Sequence, residues 1–91
     1  MTKDIELRAL VVDDYESMRR RLRTELEKLG LQVEEATNGQ EALELIRKQS
    51  FHIVFTDVVM PEMDGFELCE ELRNSPEFSS VHIVVVSTHH D

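Results

Sequence analysis

The sequence predicts an α/β fold in which one parallel sheet carries helices on both faces, in the order β-α-β-α-β-α-β. Three observations predict it. Strand-like runs recur at 7–12, 31–37, 51–57 and 81–87. Between them the apolar period becomes helical, with residues three and four apart. The connections are short, and no internal repeat or low-complexity linker interrupts them.

The first run, Leu7 to Val12, is almost continuously apolar and ends on Asp13-Asp14. From Tyr15 to Leu29 the apolar positions Met18, Leu22, Leu26 and Leu29 predict a helix, with Asp14 as its cap or first-turn acid and Gly30 as its stop. Leu31 to Thr37 alternates and carries two polar residues in its middle, the pattern of an edge strand. Asn38-Gly39 reads as a turn into a second helix striped by Ala42, Leu43, Leu45 and Ile46.

Phe51 to Asp57 is β-branched and apolar until its last residues, as expected of a strand covered on both faces. Pro61 and Asp64-Gly65 mark a loop and the start of a third helix, Gly65 to Arg73, with Phe66, Leu68, Cys69 and Leu72 apolar and Asn74-Ser75-Pro76 as its stop. The last strand, Val81 to Ser87, is built on Ile83-Val84-Val85-Val86, an interior-type run.

Ninety-one residues make one small domain, 1–91, with a modest core. Ten Lys and Arg against nineteen Asp and Glu leave a formal charge of −9, which opposes nucleic acid and anionic lipid as partners. Arg19, Arg20, Arg21 and Arg23 are interleaved with Glu16, Glu25 and Glu27 and read as a solvated helix face. Cys69 is the only cysteine, so an intrachain disulfide is impossible, and it reads as a packed small side chain. No run approaches a membrane span and the N-terminus has no leader character, so a cytoplasmic protein is expected. His52, His82, His89 and His90 show no ligand spacing and read as loop and strand-end residues.

In such a fold the carboxyl ends of the strands share one edge, where open α/β sheets bind ligands. That edge collects Asp13, Asp14, Asp57, Ser87 and Thr88. If the first and third strands are neighbours, three carboxylates converge and would raise one another's pKa values unless a cation neutralised them. Oxygen ligands in an open cleft suit Mg²⁺, and a carboxylate beside it can attack phosphorus.

At this point the residues resemble the receiver domains of bacterial two-component response regulators, the chemotaxis receiver among them. The resemblance rests on Val11-Val12-Asp13-Asp14-Tyr15 with Met18-Arg19-Arg20, and on Ala36-Thr37-Asn38-Gly39 with Glu41-Ala42-Leu43. Asp57-Val58-Val59-Met60-Pro61 with Asp64-Gly65, and Ile83-Val84-Val85-Val86-Ser87, extend it over essentially the whole chain. It implies a flavodoxin-like, doubly wound sheet with strand order 2-1-3-4. It further implies that Asp57 accepts a phosphoryl group from a sensor histidine kinase, a phosphotransfer protein or a small phosphodonor, with Mg²⁺ as cofactor. Asp14 would ligate the metal directly, Asp13 largely through water, and Asp57 and the backbone carbonyl of Val59 would complete the set. Ser87 matches the switch hydroxyl, while Val59 and His89 fall where side chains set dephosphorylation rate. Apart from that self-phosphorylation and self-dephosphorylation chemistry, no enzyme activity is expected.

The chain departs from the family's pattern after the fourth strand, where the resemblance calls for a further helix, strand and helix. A lysine expected on the fifth strand has no counterpart, since Lys3, Lys28 and Lys48 are not placed to reach Asp57. The chain reads first as a piece of a longer protein; the incomplete sheet otherwise leaves the fourth strand open, so a homo-oligomer through that edge or by strand exchange is expected. The alternative function is a degenerate or truncated receiver that dimerises or binds partners without phosphotransfer. A flavin-binding relative is disfavoured because Asp13-Asp14 would repel a phosphate, and a phosphohydrolase because Val59 stands where such enzymes place a second acid.

Overall fold

The computed structural model describes residues 6–57 and 64–86. β1 (Arg8–Val12), β2 (Gln32–Ala36), β3 (Ile53–Asp57) and β4 (His82–Val86) form one sheet in the order β2-β1-β3-β4. Every pairing is parallel, with Val12 opposite both Ala36 and Thr56, and Asp57 opposite Val86. α1 (Glu16–Lys28), α2 (Gly39–Lys48) and α3 (Gly65–Arg73) alternate with the strands, and a 3₁₀ turn at Pro76–Phe78 leads into β4. This is the expected flavodoxin-like order. The last helix–strand unit of that fold is not among the described elements.

The sheet separates two apolar clusters. On one face Leu10, Val12 and Val54 pack with Ala42, Leu43 and Ile46 of α2 and with Leu68 and Leu72 of α3. On the other, Ala9, Val11 and Val33 pack with Leu26 of α1, and Leu22, Ile53 and Phe55 lie partly buried around them. α1 packs on β1 and β2. Ile53 and Phe55 are only partly buried, so among the described residues β3 is fully covered on one face and partly on the other, where full cover on both was expected. β4, interior in composition, is likewise the last strand of the described sheet, and Val84 is exposed.

Local chemistry explains the boundaries and three corrections. Gly30 takes φ +95 and ends α1, as expected, because a left-handed residue turns the chain without a Cβ clash. Leu29 sits at that cap, off the buried face, and is exposed although the helical spacing included it. Phe66 is exposed as well: it lies about 200° round α3 from Leu68, at 100° per residue. Asp14 does not cap α1, whose N-cap residue is Tyr15 and has no side-chain cap bond.

The other two helix starts are capped. Asn38, expected in a turn, is the N-cap of α2, and its side-chain oxygen accepts from the Glu41 N–H at 2.8 Å. At α3 the Asp64 carboxylate accepts from the Glu67 N–H at 2.9 Å while Glu67 accepts from the Asp64 N–H at 3.0 Å, a reciprocal box. That box fixes where α3 begins. Cys69 is half-buried, and burial pushes its thiol pKa up although Arg73 pulls the other way.

Candidate functional site

Parallel pairing puts the carboxyl end of β1 beside that of β3. Asp13 follows β1 by one residue, Asp57 is the last residue of β3, and the strands are in register at Val12 and Thr56. Asp14 is the next residue along. One carboxylate oxygen from each of Asp13, Asp14 and Asp57 lies within 4.8 Å of the others. Asp13 and Asp57 are 4% and 2% exposed, whereas Asp14 is exposed. Two acids thus line the floor and a third stands at the rim.

Burial alone would not hold these groups in place; their backbone does. The Asp13 N–H donates to the Ala36 carbonyl at 3.1 Å, which continues the β1–β2 ladder one residue past the strand. The Asp13 carboxylate accepts from the Tyr15 N–H at 2.9 Å, which bends the chain into α1. Thr56, buried beside Asp57, donates its hydroxyl to the Asp57 carbonyl at 3.1 Å. Apolar β1 and β3 bring the acids to the edge, and the short polar turn keeps them there.

The donor set is all oxygen, anionic and open on one side. Mg²⁺ favours such a set, because it takes one or two carboxylates and keeps several waters. The residues present fit that ion. An exposed cavity of about 240 Å³ adjoins Asp13 and is further lined by Met18, Leu22, Val86, Arg21 and Glu25. Val59, Ser87 and His89, which complete the predicted set, lie outside the described residues, as does Lys3.

Lys28 and Lys48 occupy the last turns of α1 and α2. Helices that return antiparallel to the strands end at the opposite edge of the sheet from Asp57, so neither lysine serves the site. His52 lies just before β3 and His82 opens β4, at that same far edge; the Nδ1 of His52 accepts from the Arg8 N–H at 3.0 Å.

Sequence reasoning missed one feature beside the acids. Arg19 and Arg23 do not simply face solvent. Arg19 Nε is 2.6 Å from one Glu35 oxygen and Arg23 Nη1 is 2.8 Å from the other, while a second Arg19 nitrogen donates to the Asp13 carbonyl at 3.0 Å. The Arg19 and Glu35 side chains are 12% and 16% exposed. Burial by itself would raise the Glu35 pKa, but the hydrogen bonds from Arg23 and Arg19 outweigh it and hold the carboxyl below the ordinary 4.5. The signal was present: two arginines four apart share a helix face, and Glu35 sits on an adjacent strand.

Comparison with known proteins follows the same pattern. The sequence model of the response regulator receiver domain matches residues 9–91. The chain is 45% identical over 78 residues to the "Probable transcriptional regulator ycf27" of Porphyra purpurea, covering 86% of this chain and 31% of that protein. It is 34% identical over 82 residues to protein PilG of Pseudomonas aeruginosa, covering 90% of this chain and 61% of that one. The chain therefore spans about a third of the length of the first of these relatives and under two thirds of the second. Among solved structures, the Vibrio cholerae chemotaxis protein CheY4 superposes with a TM-score of 0.87 at 32% identity, over 96% of this chain and 72% of that chain.

Proposed function

This chain belongs to the response regulator receiver domains, and on that premise we propose that it accepts a phosphoryl group on Asp57 from a sensor histidine kinase or phosphotransfer protein. One observation carries the reading: the carboxylates of Asp13, Asp14 and Asp57 converge within 4.8 Å at the ligand-binding edge of the sheet. Asp13, Asp14 and Asp57, with the Val59 carbonyl, would hold Mg²⁺, which when bound screens the charge on the incoming phosphoryl group. A carboxylate oxygen of Asp57 attacks phosphorus. The phosphorus–nitrogen bond of a protonated phosphohistidine breaks, and its electron pair leaves with neutral imidazole. The Ser87 hydroxyl donates to a phosphoryl oxygen, and the apolar Val59 side chain offers nothing to orient a hydrolytic water, so the aspartyl phosphate turns over slowly.

In this role the chain is the acceptor in a signalling transfer and not an enzyme acting on other molecules. A formal charge of −9 supports a protein partner over nucleic acid or an anionic membrane. Among the described residues no helix is long and apolar enough to cross a membrane, which supports a cytoplasmic setting. Incubation with Mg²⁺ and acetyl phosphate should add one phosphoryl group by intact-mass analysis, and Asp57→Asn should abolish the addition. A folded wild-type chain that stays unmodified, with no response to beryllofluoride either, would remove phosphotransfer from consideration.

A second reading concerns association. β4 carries no formal charge and is half-exposed at the edge of the described sheet. That supports pairing of two copies through β4, or strand exchange, with or without phosphotransfer. Sedimentation velocity decides it, since a monomer across the accessible concentration range would leave this reading without content.

A further inference from the structure

We infer that Arg19 is a positioning residue for the Mg²⁺ site and that Glu35 is the counter-charge that allows a cation to serve there; this rests on the reading that Asp13, Asp14 and Asp57 hold Mg²⁺. The geometry is specific. Arg19 donates to the backbone carbonyl of Asp13 at 3.0 Å and to Glu35 at 2.6 Å, so one planar guanidinium ties the β1–α1 turn to the edge strand β2. The amide of Asp13 is already fixed on Ala36 at 3.1 Å and its carboxylate on Tyr15 at 2.9 Å. Arg19 supplies the remaining anchor. With N–H, C=O and carboxylate each engaged, the Asp13 side chain has little freedom to lose when a metal binds, and the turn that carries Asp14 is held with it.

A bare guanidinium bonded to the Asp13 carbonyl would also repel Mg²⁺. Glu35 answers that charge within a pair that is mostly removed from solvent, and Arg23 closes its other oxygen at 2.8 Å. Arg23 continues to Glu27 at 3.0 Å and, among the described residues, does not bond the acid turn. Arg19 and Arg23 therefore share one carboxylate but differ in what else they touch, which supplies an internal control.

The test is Mg²⁺ affinity of the apo chain, read by calorimetry or by an amide shift at Asp13 or Asp14 and not by phosphorylation. Arg19→Gln should weaken binding about tenfold, the low end for residues that orient metal ligands. Arg19→Lys should recover little of it, because an ammonium cannot span both acceptors in one plane. Arg23→Gln should stay within about twofold while losing the same kind of ion pair. Glu35→Gln should also weaken binding, with a deficit that shrinks as salt rises, because it leaves a positive charge unanswered; the Arg19→Gln deficit should persist in salt. If Arg19→Gln and Arg23→Gln lower affinity equally, the pair is helix packing and the positioning role is overturned. Should Arg19→Gln fail to fold by circular dichroism, the salt dependence of Glu35→Gln decides: a deficit unchanged by salt overturns the counter-charge. A wild-type chain that is folded but binds no Mg²⁺ sinks the parent reading, and this inference with it.

Discussion

The two edges of the sheet are built on different principles. β2 carries Gln32, Glu34 and Glu35 and buries only Val33 and Ala36. Its acids discourage another strand from docking, and one of them is clamped from above by two arginines. β4 is His82-Ile83-Val84-Val85-Val86, with no formal charge, proline or glycine, yet none of its five residues is fully buried. A strand that lies outermost in the described sheet thus has the composition of one meant to be covered twice. The contrast teaches that a strand's residues report the neighbours it is built for, and that β2 alone is finished as an edge.

The largest expected effect lies on the finished side. Glu35→Gln should lower stability by about 2 kcal/mol, because it leaves Arg19 partly buried without its charge and weakens two charge-assisted bonds. The pH dependence follows in sign. The folded pKa of Glu35 is held below the ordinary 4.5, so the unfolded chain binds the proton more tightly. Its contribution is fully present above that ordinary value and is lost as pH falls through the folded pKa. Denaturant melts at several pH values should show Glu35→Gln closing on wild type under acid conditions. A gap that stays constant down to the acid limit would show that Glu35 is not held by charge.

On the unfinished side the effect should appear in association. Val84 is opposite Phe55 in the register, so it faces the α1 side of the sheet, and it is exposed there. Val84→Lys should weaken any self-association about tenfold or more, since pairing through β4 would bury an unpaired ammonium. The same change should cost the monomer less than about 1 kcal/mol, because the site is solvated. Glu34→Lys on β2, where charge is already present, should leave association unchanged. Sedimentation of the three proteins side by side would sharpen the comparison, and equal behaviour of the two lysine variants would dissolve it.

Much of this was legible in the sequence because the informative residues act locally. Apolar runs placed the strands within a residue or two, and a parallel sheet necessarily gathers strand-end acids, so Asp13, Asp14 and Asp57 were predictable as neighbours. What escaped depended on where elements stop or on which neighbour lies overhead. Leu29 belongs to the α1 period, but it is the C-cap residue, past the last helical turn, and is exposed. Asn38-Gly39 reads as a turn pair, yet the Asn38 side chain caps a helix that starts at Gly39. Periodicity cannot say that Ile53 and Phe55 on one face of β3 are less covered than Val54 on the other. Nor can charge interleaving reveal that Arg19 crosses to β2, since that depends on the packing of α1 over a strand distant in the chain.

The smallest effect separates distance from burial. Glu16 and Arg20 form an ion pair on the same helix at 3.0 Å, close to the 2.8 Å of Arg23 and Glu35. Their side chains are 63% and 68% exposed, however, so water competes for both charges and two long side chains must be ordered to keep the contact. Arg20→Ala should change stability by no more than about 0.5 kcal/mol, a difference that vanishes in concentrated salt. Glu35→Gln should keep part of its deficit there, because Arg19 and Glu35 are mostly shielded from mobile ions. If Arg20→Ala cost as much as Glu35→Gln, separation alone would govern these pairs, and the β2 clamp would be no more than one of several surface contacts on α1.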